Sequence, residues 1–343
     1  MDREHLILRE VVETYTHSGE AVGSKTISER LRHTLSSASI RAVMAALGQR
    51  GYLVQPHTSA GRVPTDLGWR EYLDAILVPE ALKPRDKARV DALDFKDGVS
   101  PQDLMREAAN LAAAALGAAA VVVAPSLERS VLRQIELIPL TPGRVLAIAV
   151  TEAGLVHERL LSVDPALKRA DLERFTNFLN SLLPGRLLGE VRGVLEAALR
   201  EAREKRDELE QRAAELGKRA LDGDVDEAEI LVEGASRVLA QREFTENPQL
   251  ASELMRAVEE REVWLQLLAS VEATGDTRVY VGEEAPSPAL ASCGLVVTRW
   301  TTGHASGVVA VFGPKRLDYR RAIPLVAQVA RRLGGVLDGE RGA

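Results

Sequence analysis

Between residues 36 and 72 the chain reads SSASIRAVMAALGQRGYLVQPHTSAGRVPTDLGWREY, and no other stretch restricts the fold so tightly. Ser36 or Ser37 is placed to cap a helix, in which Ile40, Val43, Met44 and Leu47 recur at i, i+3, i+4 and i+7 as one apolar stripe. Gly51 ends that helix. Residues 52–55 read as a strand, 58–61 as a turn and Arg62-Val63 as the returning strand. Thr65 then caps a further helix, with Trp69, Tyr72, Leu73 and Ile76 along one face. Upstream, Leu8, Val11, Val12 and Tyr15 predict a helix over 3–17 that Gly19 closes, and Ser24 caps a second helix with Ile27 and Leu31 inward. Three helices followed at once by a hairpin predict a winged helix-turn-helix, a DNA-binding layout.

The residues expected to meet DNA follow from that layout. Opposite the apolar stripe sit Ala38, Ala42, Ala45 and Gln49, flanked by Ser39 and Arg41. Small side chains let a helix approach a groove floor, and an arginine on its shoulder reaches a guanine edge or a phosphate. The hairpin tip carries His57, Thr58, Ser59 and Arg62, all able to donate to phosphates. Lys25, Ser37 and Arg50 complete the predicted set. The same pattern also suits a winged helix that binds protein, such as an adaptor that recruits a chaperone.

Charge agrees once it is resolved by region. The chain carries a formal net charge of −6. From Val22 to Pro64, however, six basic residues (Lys25, Arg30, Arg32, Arg41, Arg50, Arg62) face one acid, Glu29, for a local +5 that leaves −11 elsewhere. Counterion release depends on local charge, so a basic patch on an acidic body suits site-specific binding to DNA.

At 343 residues the chain exceeds one ordinary core, which predicts about two or three domains. No apolar run is long enough to span a membrane, and MDREHLILRE lacks the apolar segment of a secretory signal. A single cysteine, Cys293, excludes an intrachain disulfide. The cytoplasm is the expected compartment, with association to the nucleoid when DNA is bound.

The expected class is α+β, with the winged helix over 1–78 and a charged, proline-containing linker and helix over 79–100. Ser100-Pro101 starts a helix running to about Leu116. Four β-like runs at 119–124, 131–140, 144–151 and 155–163 predict an antiparallel meander. Residues 168–270 look almost wholly helical, although the apolar positions lapse between Leu199 and Leu209, which argues against a continuous coiled coil. Strand patterns return at 277–282, 293–301 and 307–313, before a closing helix with Tyr319, Ile323, Val326, Ala330 and Leu333 inward. The prediction is therefore one discontinuous sheet domain, 101–165 with 272–343, interrupted by a mainly helical insert, 166–271.

Enzyme chemistry is not expected. No phosphate-binding loop, His-Glu-x-x-His or Gly-x-Ser-x-Gly occurs. In His57-Thr58-Ser59 neighbouring residues of a hairpin point to opposite faces, and no acid orients the imidazole. Glu283-Glu284 with His304 reads as an exposed strand end rather than a metal site, and Cys293 as a buried small residue. No cofactor is implied.

GYLVQPHTSAGRVPTDLGWREYLD (51–74), and VETYTHSGEAVGSKTIS ahead of it, resemble the HrcA family of bacterial heat-shock repressors. TNFLNSLL (176–183), LVEGASRVLAQREFTEN (231–247), VYVGEEAP (279–286) and VVAVFGPKRLDYRRAI (308–323) are similar to later family motifs, in the expected order. Two departures stand out. The family's Asn and acidic residue after Ile-Arg of the third helix are Ala42 and Val43 here, and its Arg-Met-x-Tyr is Arg316-Leu317-Asp318-Tyr319. The resemblance implies a winged helix, a GAF-like antiparallel sheet domain and a dimerisation domain inserted into it. It further implies a homodimer that represses chaperone operons by binding double-stranded DNA at the inverted-repeat operator called CIRCE, with activity linked to the GroE chaperonin. The alternative is a small-ligand-responsive winged-helix regulator with the GAF-like domain as sensor.

Overall fold

The structure, a computed structural model, describes residues 2–57, 60–94, 100–124, 130–152, 154–221, 230–272, 277–303 and 305–338. It is α+β, and its sheets are antiparallel. The N-terminal head holds α1 (Arg3–Ser18), α2 (Ser24–Arg30), α3 (Ser37–Gln49), the ribbon β1 (Leu53–Val54) with β2 (Val63–Pro64), and α4 (Asp66–Glu71), which runs on as a wider turn over Tyr72–Ile76. Capping follows the sequence closely. Ser36 accepts from Ser39 N–H, Thr65 accepts from Gly68 N–H, and Gly19 closes α1 at φ 67°. One detail differs: the N-cap of α2 is Gly23, and Ser24 is its buried first residue.

The segment expected as a linker and helix lies against the body. Helix α5 (Pro84–Asp91) buries Val90, and Leu93 behind it is buried and accepts from Arg332 Nε at 2.9 Å. Next, α6 (Pro101–Leu116) starts with a reciprocal Ser100–Asp103 capping box.

Two sheets follow, and they correct the predicted meander. β3 (Ala119–Val123) does not join β4 (Leu132–Thr141), β5 (Arg144–Thr151) and β6 (Val156–Ser162), which form their own three-stranded sheet. It lies instead in a five-stranded sheet of order β7-β3-β10-β9-β8, with β7 (Ile230–Glu233), β8 (Arg278–Val281), β9 (Cys293–Thr301) and β10 (Ser306–Pro314). The physical reason is burial. Every residue of AAVVV in β3 is buried, which requires a covered sheet on both faces, whereas β5 alternates and buries only one.

Nor does the stretch 166–271 pack as one unit. α7 (Arg169–Leu182), α8 (Leu188–Lys205) and α9 (Glu208–Leu221) cover one face of β4–β6 and share its core, through Ile135, Val145, Phe175, Leu179, Val191 and Leu195. Beyond β7, a strand unforeseen within the helical stretch, the chain changes partner. α10 (Ala235–Leu239), α11 (Arg242–Thr245), α12 (Pro248–Glu259) and α13 (Arg261–Glu272) cover one face of the five-stranded sheet, with Trp264 5.2 Å from Phe312. The other face packs on α6 and on α14 (Tyr319–Leu337), in a core continuous with the head. Cys293 is fully buried, and burial pushes its thiol up to about 12. Among the described residues no helix is long and apolar enough to cross a membrane.

Candidate nucleic-acid interface

Ile40, Met44 and Leu47 turn inward and seat α3 against α1, α2 and β1. Ser37, Ser39, Arg41, Ala42 and Gln49 are exposed on the same helix, and Ala45 is half-buried. This is the face expected from the apolar stripe. Lys25, in the first turn of α2, is exposed as well.

The turn into α3 has a feature that the sequence did not signal. Arg32 and His33 both take left-handed backbone, at φ 50° and 58°, without a glycine. Such residues cost about 1–2 kcal/mol each, and the surroundings hold them there. Ser28, buried in α2, donates to Leu35 O at 2.8 Å and lies 3.4 Å from His33 Nδ1. Arg32 is thereby left exposed just ahead of α3, a cation beside the predicted set.

Arg50 and Arg62 are engaged within the head. Arg50 forms an ion pair with Glu4 and stacks over Tyr52, 4.9 Å from the ring centroid. Tyr52 and then Glu4 push its guanidinium pKa further upward. Arg62 was expected at the hairpin tip. Its backbone instead pairs with Val22, N–H to O at 2.9 Å in both directions, which sets a third segment of chain beside the ribbon. Its guanidinium folds back onto α3, where a methyl group on Gly48 would lie 2.6 Å from Nη1. Gly61 is required beside it, because a Cβ there would overlap the Val22 carbonyl. His57 is exposed near the tip, where Gln55 Nε2 donates to Ala60 O at 3.0 Å. Thr58 and Ser59 lie outside the described residues, as does His304 of the dismissed metal site.

Behind the interface the head is joined to the body by α1 and α4. Asp66 receives both hydrogen bonds of Lys315 Nζ, at 2.7 and 2.9 Å. Arg70 donates from Nε to Glu284 at 2.9 Å, from Nη2 to the other oxygen of that carboxylate, and to Val279 O at 2.9 Å. Arg320 bonds Glu13 at 3.0 Å. Between the α4 pairs, buried Trp69 packs at 5.6 Å from Tyr319, whose hydroxyl pKa burial raises far above its ordinary value. The head thus buries one side in the body and keeps the exposed face of α3 and His57 on its surface.

The comparisons agree with the resemblance. The family described as the HrcA protein C terminal domain matches residues 102–323. A heat-inducible transcription repressor HrcA from Sorangium cellulosum is 37% identical over 332 residues, covering 96% of this chain and 95% of its own. Its counterpart from Gluconobacter oxydans is 36% identical, covering 98% and 94%, and that from Geobacter sulfurreducens 33%, covering 99% and 98%. A crystal structure known only as that of a hypothetical protein, 22% identical, covers 99% of both chains with a TM-score of 0.66, so the fold as a whole has an experimental counterpart. These relatives are named as repressors, not enzymes, and the chain belongs to the HrcA family of heat-inducible transcription repressors.

Proposed function

We propose that the chain represses heat-shock operons as a homodimer whose two winged helices read the half-sites of a CIRCE-type inverted repeat in double-stranded DNA. One observation carries this reading. The outer face of α3, small and polar with Arg41 on its shoulder, is exposed, as is His57 of the ribbon, while the body takes the opposite side of the head. Two such heads related by a two-fold axis match a palindromic operator.

Within this reading the head spans 1–78, the five-stranded sheet with its helices is the GAF-like domain, and 131–221 is the inserted dimerisation domain. These bounds for the insert, in place of 166–271, are supported by the core that β4–β6 share with α7–α9. The open face of that sheet supports its role in dimerisation. Ile138, Leu146 and Leu160 align across the three strands, followed by Ile148 and by Val150 beside Val156. Ile138, Val156 and Leu160 are 41%, 45% and 51% exposed, the kind of apolar surface that a second copy covers. Both faces of the five-stranded sheet are covered by side chains of the chain itself. By family membership, a GroE-type chaperonin is the partner proposed to couple repression to the folding state of the cell.

The test is a binding titration at fixed salt with an inverted-repeat duplex and a scrambled duplex of equal length. The repeat should bind tighter by a factor on the order of 10³ or more. Equal affinity for the two, or no affinity for either, refutes the reading.

A further inference from the structure

The connection between head and body is built to fix an angle as well as to bury surface. Helix α4 begins two residues after β2 and is locked to the reading elements. Thr65 Oγ1 donates to Gly51 O at 2.6 Å, just past the end of α3, and Gly68 lies so close to the Tyr52 carbonyl that a Cβ would overlap it. Helix, hairpin and α4 therefore move as one piece. On its other side α4 presents an anion, an indole and a cation in succession, and the body meets each with its complement: Lys315, Tyr319 and Glu284. The receiving side is equally constrained. Tyr319 Oη donates to Lys315 O at 2.8 Å, and a Cβ at Gly282 would strike Asp66. Half-exposed ion pairs add little to stability, but two pairs of opposite polarity on one short helix admit a single orientation.

We propose that Asp66–Lys315 and Arg70–Glu284 are positioning residues that set the bearing of each DNA-binding head on the body, so that in the dimer they determine which half-site spacing is read. This rests on the dimeric DNA-binding reading above. The 79–94 segment does not act as a swivel, because it is itself fastened along α14.

The test compares wild type with Asp66→Lys, Lys315→Asp and the double reversal on three duplexes: an isolated half-site, the inverted repeat, and the repeat with its spacer changed by about 5 bp, half a helical turn. Wild type should prefer the native spacer by about tenfold or more, since a mismatched span forfeits the second head's effective concentration. Each single reversal should flatten that preference to less than about threefold while leaving half-site affinity unchanged, and the double reversal should restore it. Lys315→Met, which removes one partner without adding repulsion, replaces a reversal that fails to fold and carries the same expectation. Variants that keep the wild-type spacer profile overturn the proposal. Wild type that binds no inverted repeat brings down the underlying reading instead, so the two failures are told apart by the unmutated protein.

Discussion

Glu80 supplies the hydrogen bond that Pro324 withholds. Proline at position 324 in α14 has no N–H for the carbonyl of Arg320 one turn earlier, and the backbone N–H of Glu80 donates to that carbonyl at 2.9 Å. A helix defect in the body thereby becomes the anchor of the segment leaving the head, reinforced by Arg320–Glu80 at 3.3 Å. Pro324→Ala would introduce a competing donor. Amide exchange at Glu80 should then accelerate by about fivefold, the equivalent of one hydrogen bond of about 1 kcal/mol. Exchange at the wild-type rate would show that the proline is not what opens this acceptor.

Arg41 and Arg62 should separate base reading from backbone attraction. Arg41 is exposed on α3, so Arg41→Ala should cost about 1–3 kcal/mol of operator affinity and relax sequence preference. Arg62 lies back over Gly48, its charge between ribbon and helix. Arg62→Ala should weaken binding to all duplexes alike and reduce the salt slope by about one. Titrations across several salt concentrations decide between these patterns. A sequence-selective defect for Arg62→Ala would reverse the assignment.

Gly68→Ala is expected to destabilise the protein by about 1–3 kcal/mol, even though alanine is the better helix former, because the added methyl group meets the Tyr52 backbone. A urea melt that finds the variant neutral or stabilised would mean that α4 and the ribbon are less tightly joined than their geometry indicates.

Acid should loosen the joint between head and body. Burial pushes the Glu284 carboxyl up, but hydrogen bonds from Arg70 and from Val281 N–H outweigh it and hold its pKa below the ordinary range. A carboxyl depressed in the folded state stabilises above its unfolded pKa, and that contribution fades as pH falls below about 4.3 through the folded value. The difference in Tm between wild type and Glu284→Gln should therefore be present at pH 7 and shrink progressively as pH falls below about 4.3. A gap that persists unchanged in acid would rule out this ionisation as its source.

Leu160→Glu should shift the dimer toward monomer, raising its dissociation constant by about tenfold or more, without loss of monomer stability, since Leu160 is 51% exposed. Sedimentation across a concentration series reads this directly, and an unperturbed dimer would move the interface off the β4–β6 face.

Much of the head was legible because local chemistry specifies it. Ser36, Thr65 and Gly19 cap where their side chains or backbone freedom require, and the spacing of Ile40, Met44 and Leu47 fixes the inward face of α3. The helix Pro101–Leu116 and the strands at 278–281, 293–301 and 306–314 were legible for the same reason. Sheet membership was less so. The run Ala119–Val123 follows α6 closely and precedes β4, so adjacency suggested one meander, whereas its unbroken apolarity was the signal for a strand covered on both faces. β7 is four residues in a helical neighbourhood, too short for periodicity to declare. Arg62 was recognisable as a hairpin cation, but its retreat onto Gly48 depends on the bridge to Val22, forty residues earlier. Asp66 and Lys315 are separated by 249 positions, and nothing local marks either as a partner.

That separation imposes an order on biosynthesis. The side-chain ties described at α1 and α4 use residues from far along the chain, Glu284, Lys315, Tyr319 and Arg320 among them. A nascent polypeptide can complete the three-helix piece early, yet that piece has no bearing until the last stretch leaves the ribosome. On the proposed reading, a truncated product would carry α3 without the ties at Glu284 and Lys315 that orient it on the body.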